Sequence, residues 1–184
     1  MSLPHILLGL TATPISGYEI KKKFDTSLRH FWFAELSQLY PTLKKLVNQG
    51  LAEVEIMPSD KGPDKKVYCR TPAGREELLN WLSSGPGTGP LRHPYLSQVF
   101  FLSEHQEKAQ AITFLEDLLK KITNTRETLQ AIEDGWRENN SGYPDQLNDE
   151  DFFSQLTLDA GLRVNEAYIN WCRSAIERLK ARGH

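Results

Sequence analysis

The sequence predicts a mainly α-helical chain with a small β-wing: an N-terminal winged helix-turn-helix followed by a helical C-terminal dimerisation domain. Three observations lead there. Residues 1–82 read in the order helix, helix, helix, strand, strand, helix. The segment SSGPGTGP at 83–90 holds three glycines and two prolines, a composition that supports neither a helix nor a strand interior. Beyond it, apolar side chains recur at heptad spacing, which requires a helix to pack against another helix. The expected division is 1–84 for the winged helix-turn-helix, 85–90 for the linker and 91–184 for the helical domain.

Leu3 to Leu10 forms a short apolar helix stopped by TATP. Ser16-Gly17-Tyr18-Glu19 is a capping box: the Ser16 hydroxyl can accept from the N–H of residue 19, and Glu19 can reach back. It opens a helix with Ile20, Phe24 and Leu28 inward, and Tyr18 reads as a core residue. RHFWFAE is an aromatic loop. In SQLYPTLKKLVNQGL, residues 37–51, Leu39, Leu43, Leu46 and Val47 follow the spacing i, i+4, i+7, i+8, one stripe of a helix. Proline is tolerated only near a helix start, so this helix begins close to Ser37, and Asn48–Gly50 reads as its stop. The face opposite the stripe carries Ser37, Gln38, Pro41, Lys44, Lys45 and Asn48, with Tyr40 at its flank.

After Gly50 the period changes to two. In LAEVEIM, Val54 and Ile56 alternate with Glu53 and Glu55; in KKVYCR, Val67 and Cys69 alternate with Lys66, Tyr68 and Arg70. These read as two strands joined by the turn PSDKGPD. Thr71-Pro72 is an N-cap with proline at the first helical position, opening a helix through Leu78, Leu79 and Leu82. Past the linker, PYLSQVFFL reads as a short buried helix. Residues 105–138 make one long helix with Leu115, Ile122, Leu129 and Trp136 seven apart, and Leu118, Thr125 and Ile132 between them. NNSGYPDQLN breaks the chain. A last helix from about Asp151 is expected to bury Phe153, Leu156, Ala160, Val164, Ala167, Tyr168, Trp171, Ala175 and Leu179. So much apolar surface on so few helices calls for a partner, most simply a second copy.

Composition narrows the function classes. The 184 residues are 39% hydrophobic and 25% charged, ordinary for a soluble domain. No apolar run reaches the roughly 18 residues of a membrane span, and ILLGL is too short and lacks the basic leader of a secretion signal. A cytoplasmic chain without membrane contact is expected, with Cys69 and Cys172 as reduced, small apolar fillers. The net charge of −2 does not advertise nucleic-acid binding, although a small positive excess in the N-terminal half permits it. The five histidines have no metal-ligand spacing, no glycine loop is built for phosphate, and DEDFF at 149–153 reads as the acidic first turn of a helix. The expectation is no enzyme, no cofactor and no metal.

Four stretches resemble the PadR family of transcriptional regulators: SGYEI at 16–20, SQLYPTLKKLVNQGL at 37–51, GPDKKVYCRTPAGREEL at 62–78 and LRHPYLSQVFFL at 91–102. The long C-terminal half resembles the larger PadR subfamily, whose helical C-terminal region forms the dimer. The resemblance implies a homodimeric repressor bound to a double-stranded DNA operator of two-fold symmetry, with the helix from Ser37 as recognition helix. Gln38 would read adenine bidentately or bond other base edges, Ser37 and Tyr40 would bond bases or phosphates, and Lys44 and Lys45 would meet phosphates. The turn would be the wing, contacting DNA through Lys65 and Lys66, with Lys61 a weaker candidate. Some PadR regulators bind phenolic or flat aromatic compounds, which implies a small aromatic effector here, near Trp32, Tyr168 and Trp171. Those three, with Phe100, Phe101 and Trp136, read mostly as core or dimer seam, the effector pocket being the second option. A winged-helix protein-interaction module, using the same face for a protein partner, is the alternative.

Overall fold

The computed structural model describes residues 2–58, 64–87, 89, 93–104 and 107–182. The chain divides into two compact units, Met1–Gly89 and Pro90–His184. In the first, α1 (Leu3–Leu10), α2 (Gly17–Thr26) and α3 (Leu36–Asn48) share one core. A three-stranded antiparallel sheet adjoins them, in the order β1 (Ile15–Ser16), β3 (Lys65–Arg70), β2 (Ala52–Met57), and α4 (Pro72–Ser83) packs on α1. Leu7 and Leu8 of α1, Ile20 and Phe24 of α2, and Leu39, Leu43 and Leu46 of α3 are buried together, with Ile15, Ala52 and Tyr68 from the sheet.

Local chemistry sets the joints. Helix α3 is followed, just past its cap, by Gly50, whose φ of 70° is open to glycine at little cost. The Thr71 hydroxyl accepts from the Gly74 N–H at 3.1 Å and donates to the Gly50 carbonyl at 2.7 Å, tying the start of α4 to the end of α3. A Cβ on Gly74 would stand 1.9 Å from the Leu51 carbonyl oxygen, so only glycine allows this approach.

The structure corrects the sheet. Tyr68, expected to face outward, is 5% exposed and belongs to the core, while Val67 and Cys69 are only partly buried. The register pairs Tyr68 with both Ile15 and Val54, and residues directly opposite in an antiparallel pair share a face. Val54 and Ile56 therefore lie on the core side, yet both are exposed, because the hairpin runs past the end of the core. In α4, Leu78 packs on the core but Leu79 and Leu82 are exposed. The wing turn Ser59–Pro63, with Lys61, lies outside the described residues, as do parts of the segment 85–90.

The second unit contains α5 (Pro94–Phe100), a single 3-10 turn (Leu102–Glu104), α6 (Lys108–Asn139) and α7 (Asp149–Ala181). Helix α5 is not buried as expected: none of its residues is, and Phe100 is 79% exposed. Helices α6 and α7 form an antiparallel hairpin. Leu115, Leu118 and Ile122 pack with Ile169, Cys172 and Ile176, and Leu129 packs with Leu158 and Leu162. Cross-links Lys180–Glu116 at 3.2 Å and Arg126–Glu166 at 2.6 Å repeat the register. At the closed end Glu133, nearly buried, accepts from Gln130 at 3.1 Å, Arg137 at 3.0 Å and the Tyr143 hydroxyl at 3.2 Å. Among the described residues no helix is long and apolar enough to cross a membrane.

Two expectations change here. The heptad stripe of α6 meets α7 of the same chain, not a second copy: a heptad repeat specifies that another helix is present and not whose it is. Of the stripe expected on α7, Tyr168, Trp171, Ala175 and Leu179 pack against the hairpin core, but its first half does not. Phe153 and Val164 are 66% and 53% exposed, and Leu156 is exposed too. At 100° per residue the stripe of Leu158, Leu162, Ile169 and Ile176 lies nearly opposite that of Phe153, Leu156 and Val164. Helix α7 is apolar on two sides, and α6 covers one.

Ile122→Ala should therefore destabilise the α6–α7 hairpin itself, by about 2–5 kcal/mol, seen as a lower melting temperature by circular dichroism. A melting curve that does not move would place Ile122 outside the intrachain seam.

Candidate nucleic-acid interface

Helix α3 is held by its apolar stripe, which leaves Ser37, Gln38, Pro41, Lys44, Lys45 and Asn48 exposed together on the other side. The helix starts at Leu36, so Pro41 falls one full turn inside it. Proline has no N–H, and the Ser37 carbonyl loses its usual intrahelical donor on the exposed face. Gln38 caps the helix: its Oε1 accepts from the Glu35 N–H at 3.1 Å. That leaves the Nε2 donor for a partner, and bidentate pairing to adenine would require the cap to open.

Tyr40 sits at the meeting point of three elements. Its ring lies over the first residue of α2, where a Cβ on Gly17 would come 2.8 Å from its Cε1 and 2.9 Å from its hydroxyl. Its phenol is also close enough to Tyr68 of β3 to add to the upward pKa shift that burial gives Tyr68. The start of α2 is rigid. The Ser16 N–H donates to Glu19 Oε2 at 2.9 Å and the Ser16 hydroxyl accepts from the Glu19 N–H at 3.2 Å. The Ser16 hydrogen bonds hold the Glu19 carboxyl below its ordinary range, helped by Lys65 and Lys22. Lys65 of β3 therefore lies close to the start of α2, and Lys65 and Lys66 are both exposed. The structure thus brings Tyr40 and Lys65 around one helix start and leaves Ser37, Gln38, Lys44 and Lys45 along the outer face of α3.

Tyr18 departs from expectation. It is 77% exposed at the second position of α2. The signal was available, since Tyr18 stands 200° around the helix from Ile20. Gly17 had no sequence signal of its own, because its role is the space it leaves for a ring from another helix.

The three aromatic residues expected near an effector are distributed between the units. Trp32 packs on the core of the first. Tyr168 and Trp171 pack on the core of the second, where His93 bridges the hydroxyls of Tyr95 and Tyr168 at 3.2 Å each. The second unit also holds a cavity of about 1070 Å³ at the open end of the hairpin. Val99, Leu102, Ile112 and Leu179 line it together with Arg178 and Arg182, and neither Tyr168 nor Trp171 does. Sequence pattern alone did not mark it, because its walls come from three separate helices and a 3-10 turn.

Comparison with known proteins agrees with this architecture. Residues 6–80 match the transcriptional regulator PadR-like family, and residues 91–180 match the virulence activator alpha C-terminal region. A probable transcriptional regulator of Mycobacterium tuberculosis is 28% identical over 190 residues, covering 98% of each chain. The negative transcriptional regulator PadR of Bacillus subtilis is 27% identical, covering 96% of this chain and 97% of its own. Its crystal structure with operator DNA superposes with a TM-score of 0.80 over 97% of this chain and 99% of that one. Its structure with p-coumaric acid superposes with a TM-score of 0.73, covering 98% and 96%. The virulence activator AphA of Vibrio cholerae gives a TM-score of 0.76 at 27% identity, covering 98% and 99%. The chain thus joins a PadR-like domain to a virulence activator alpha C-terminal region, and its structure is close to those of PadR from Bacillus subtilis and AphA from Vibrio cholerae.

Proposed function

We propose that the protein is a homodimeric, sequence-specific repressor that binds a two-fold symmetric DNA operator and is released by a small aromatic or phenolic effector. The observation that carries this reading is the outer face of α3: an exposed polar and basic surface on a helix anchored by its opposite stripe. It occurs in a fold that superposes on a relative crystallised with operator DNA. The N-terminal end of α3 enters the major groove. Gln38 Nε2 donates to base acceptors, Ser37 and Tyr40 bond bases or phosphates, Lys44 and Lys45 meet phosphates, and Lys65 and Lys66 carry the wing along the backbone. Such a regulator works in the cytoplasm and needs no cofactor or catalytic residue. A gel shift against the DNA upstream of its own gene tests the assignment; no discrimination between that fragment and random DNA would favour a protein-interaction role.

Residue roles separate by their response to sequence and salt. Gln38→Ala should cost about 1 kcal/mol on the operator and little on random DNA. Lys65→Ala or Lys66→Ala should weaken both alike and lower the salt slope by about 1. Equal loss on both DNAs for Gln38→Ala would remove it from base reading.

The uncovered stripe of α7 supports the dimer, since a run of exposed Phe153, Leu156 and Val164 is costly in water. Val164→Asp should give a monomer in sedimentation while leaving the hairpin folded; a retained dimer would exclude this stripe.

For the effector, the relative crystallised with p-coumaric acid supports the phenolic class. A phenolic acid should weaken operator binding and change the emission of Trp32 or Trp171. A panel of such acids that alters neither would leave the sensor role without support and the DNA assignment intact.

A further inference from the structure

We infer that Gly17 is a positioning residue for operator recognition: its bare Cα is the seat on which the Tyr40 ring rests. The inference builds on the DNA-binding reading above and adds a residue that touches no DNA itself. Gly17 is buried at the first position of α2, while Tyr40 is part exposed at the edge of the outer face of α3. A Cβ on Gly17 would stand 2.8, 2.9 and 3.1 Å from three atoms of the phenol, the first two closer than a Cβ sits to any neighbour. One side must give, and the seat cannot. Residues 15 and 16 are paired into the sheet with Tyr68 and Val67, and the Ser16–Glu19 capping box locks the first turn. The phenol, at the free end of a side chain, moves instead.

The consequence is unusual for a buried glycine. Alanine suits a helix better than glycine does, and nothing but the Tyr40 phenol stands within 3.1 Å of the added carbon among its nearest neighbours. The substitution leaves the fold intact and shifts one side chain of the recognition helix.

The experiment compares wild type, Gly17→Ala, Tyr40→Ala and the double variant. Without DNA, ring resonances of labelled tyrosine report position: Gly17→Ala should move the Tyr40 signal, identified by its loss in Tyr40→Ala, and should not lower the melting temperature. On the operator fragment, Gly17→Ala should bind about tenfold more weakly, the scale of one lost hydrogen bond to a charged group. In the Tyr40→Ala background it should cause no further loss. A Tyr40 resonance unmoved by Gly17→Ala overturns the seat, whatever the DNA result. Operator affinity unchanged by Gly17→Ala, or an equal loss in both backgrounds, overturns its role in recognition. Failure of the wild type to bind the operator would instead refute the DNA reading, and the resonance comparison would still decide the seat.

Discussion

Burial of Leu39, Leu43 and Leu46 against Leu7, Leu8, Ile20 and Phe24 is the interaction from which the first unit follows. Each leucine removed from water contributes about 2 kcal/mol, so the three outweigh the roughly 3 kcal/mol that a proline inside a helix costs. Helix α3 therefore survives Pro41 at its sixth residue, and its rotation about its own axis is settled. Once that stripe points inward, the two lysines, the glutamine and the serine have only the outer side. The exposed polar face of α3 is the remainder left by the core.

Around that fixed helix, small groups set the fine geometry. Gln38 uses one end of its amide to hold the first turn of its own helix, which limits what the other end can offer. The capping box keeps the Glu19 carboxylate charged beside Lys65 and Lys22, so the start of α2 is electrostatically mixed and not a simple basic patch. In a chain whose net charge is −2, local positive potential depends on where a few lysines stand, not on their number.

The second unit is governed by the two apolar sides of α7. Helix α6 satisfies one with a seam of Leu115, Leu118, Ile122 and Leu129. The other is left open in the first half of the helix, at Phe153, Leu156 and Val164. A hairpin of two such helices is stable as a unit and still unsaturated, which is the physical basis for reading it as an assembly element.

By itself the sequence determined the order of the helices and of the two hairpin strands, though not the short strand Ile15–Ser16, together with the capping box, the α3 stripe with its outward polar face, and the heptad spacing of α6. Each depends on neighbours within a turn or two, where 3.6- and 2-residue periods and cap chemistry dominate. Tertiary structure decided the rest. Tyr68 is inward because its register places it opposite Ile15 and Val54, and Ile56 is exposed because the hairpin outruns its core. The partner of α6 proved to be α7, and in the first half of α7 the side bearing Phe153, Leu156 and Val164 proved to be the uncovered one. Gly17 matters because a ring from α3, 23 positions away along the chain, rests on it. A period names the face a helix will bury, but what that face meets depends on contacts between residues far apart in sequence, which no local pattern encodes.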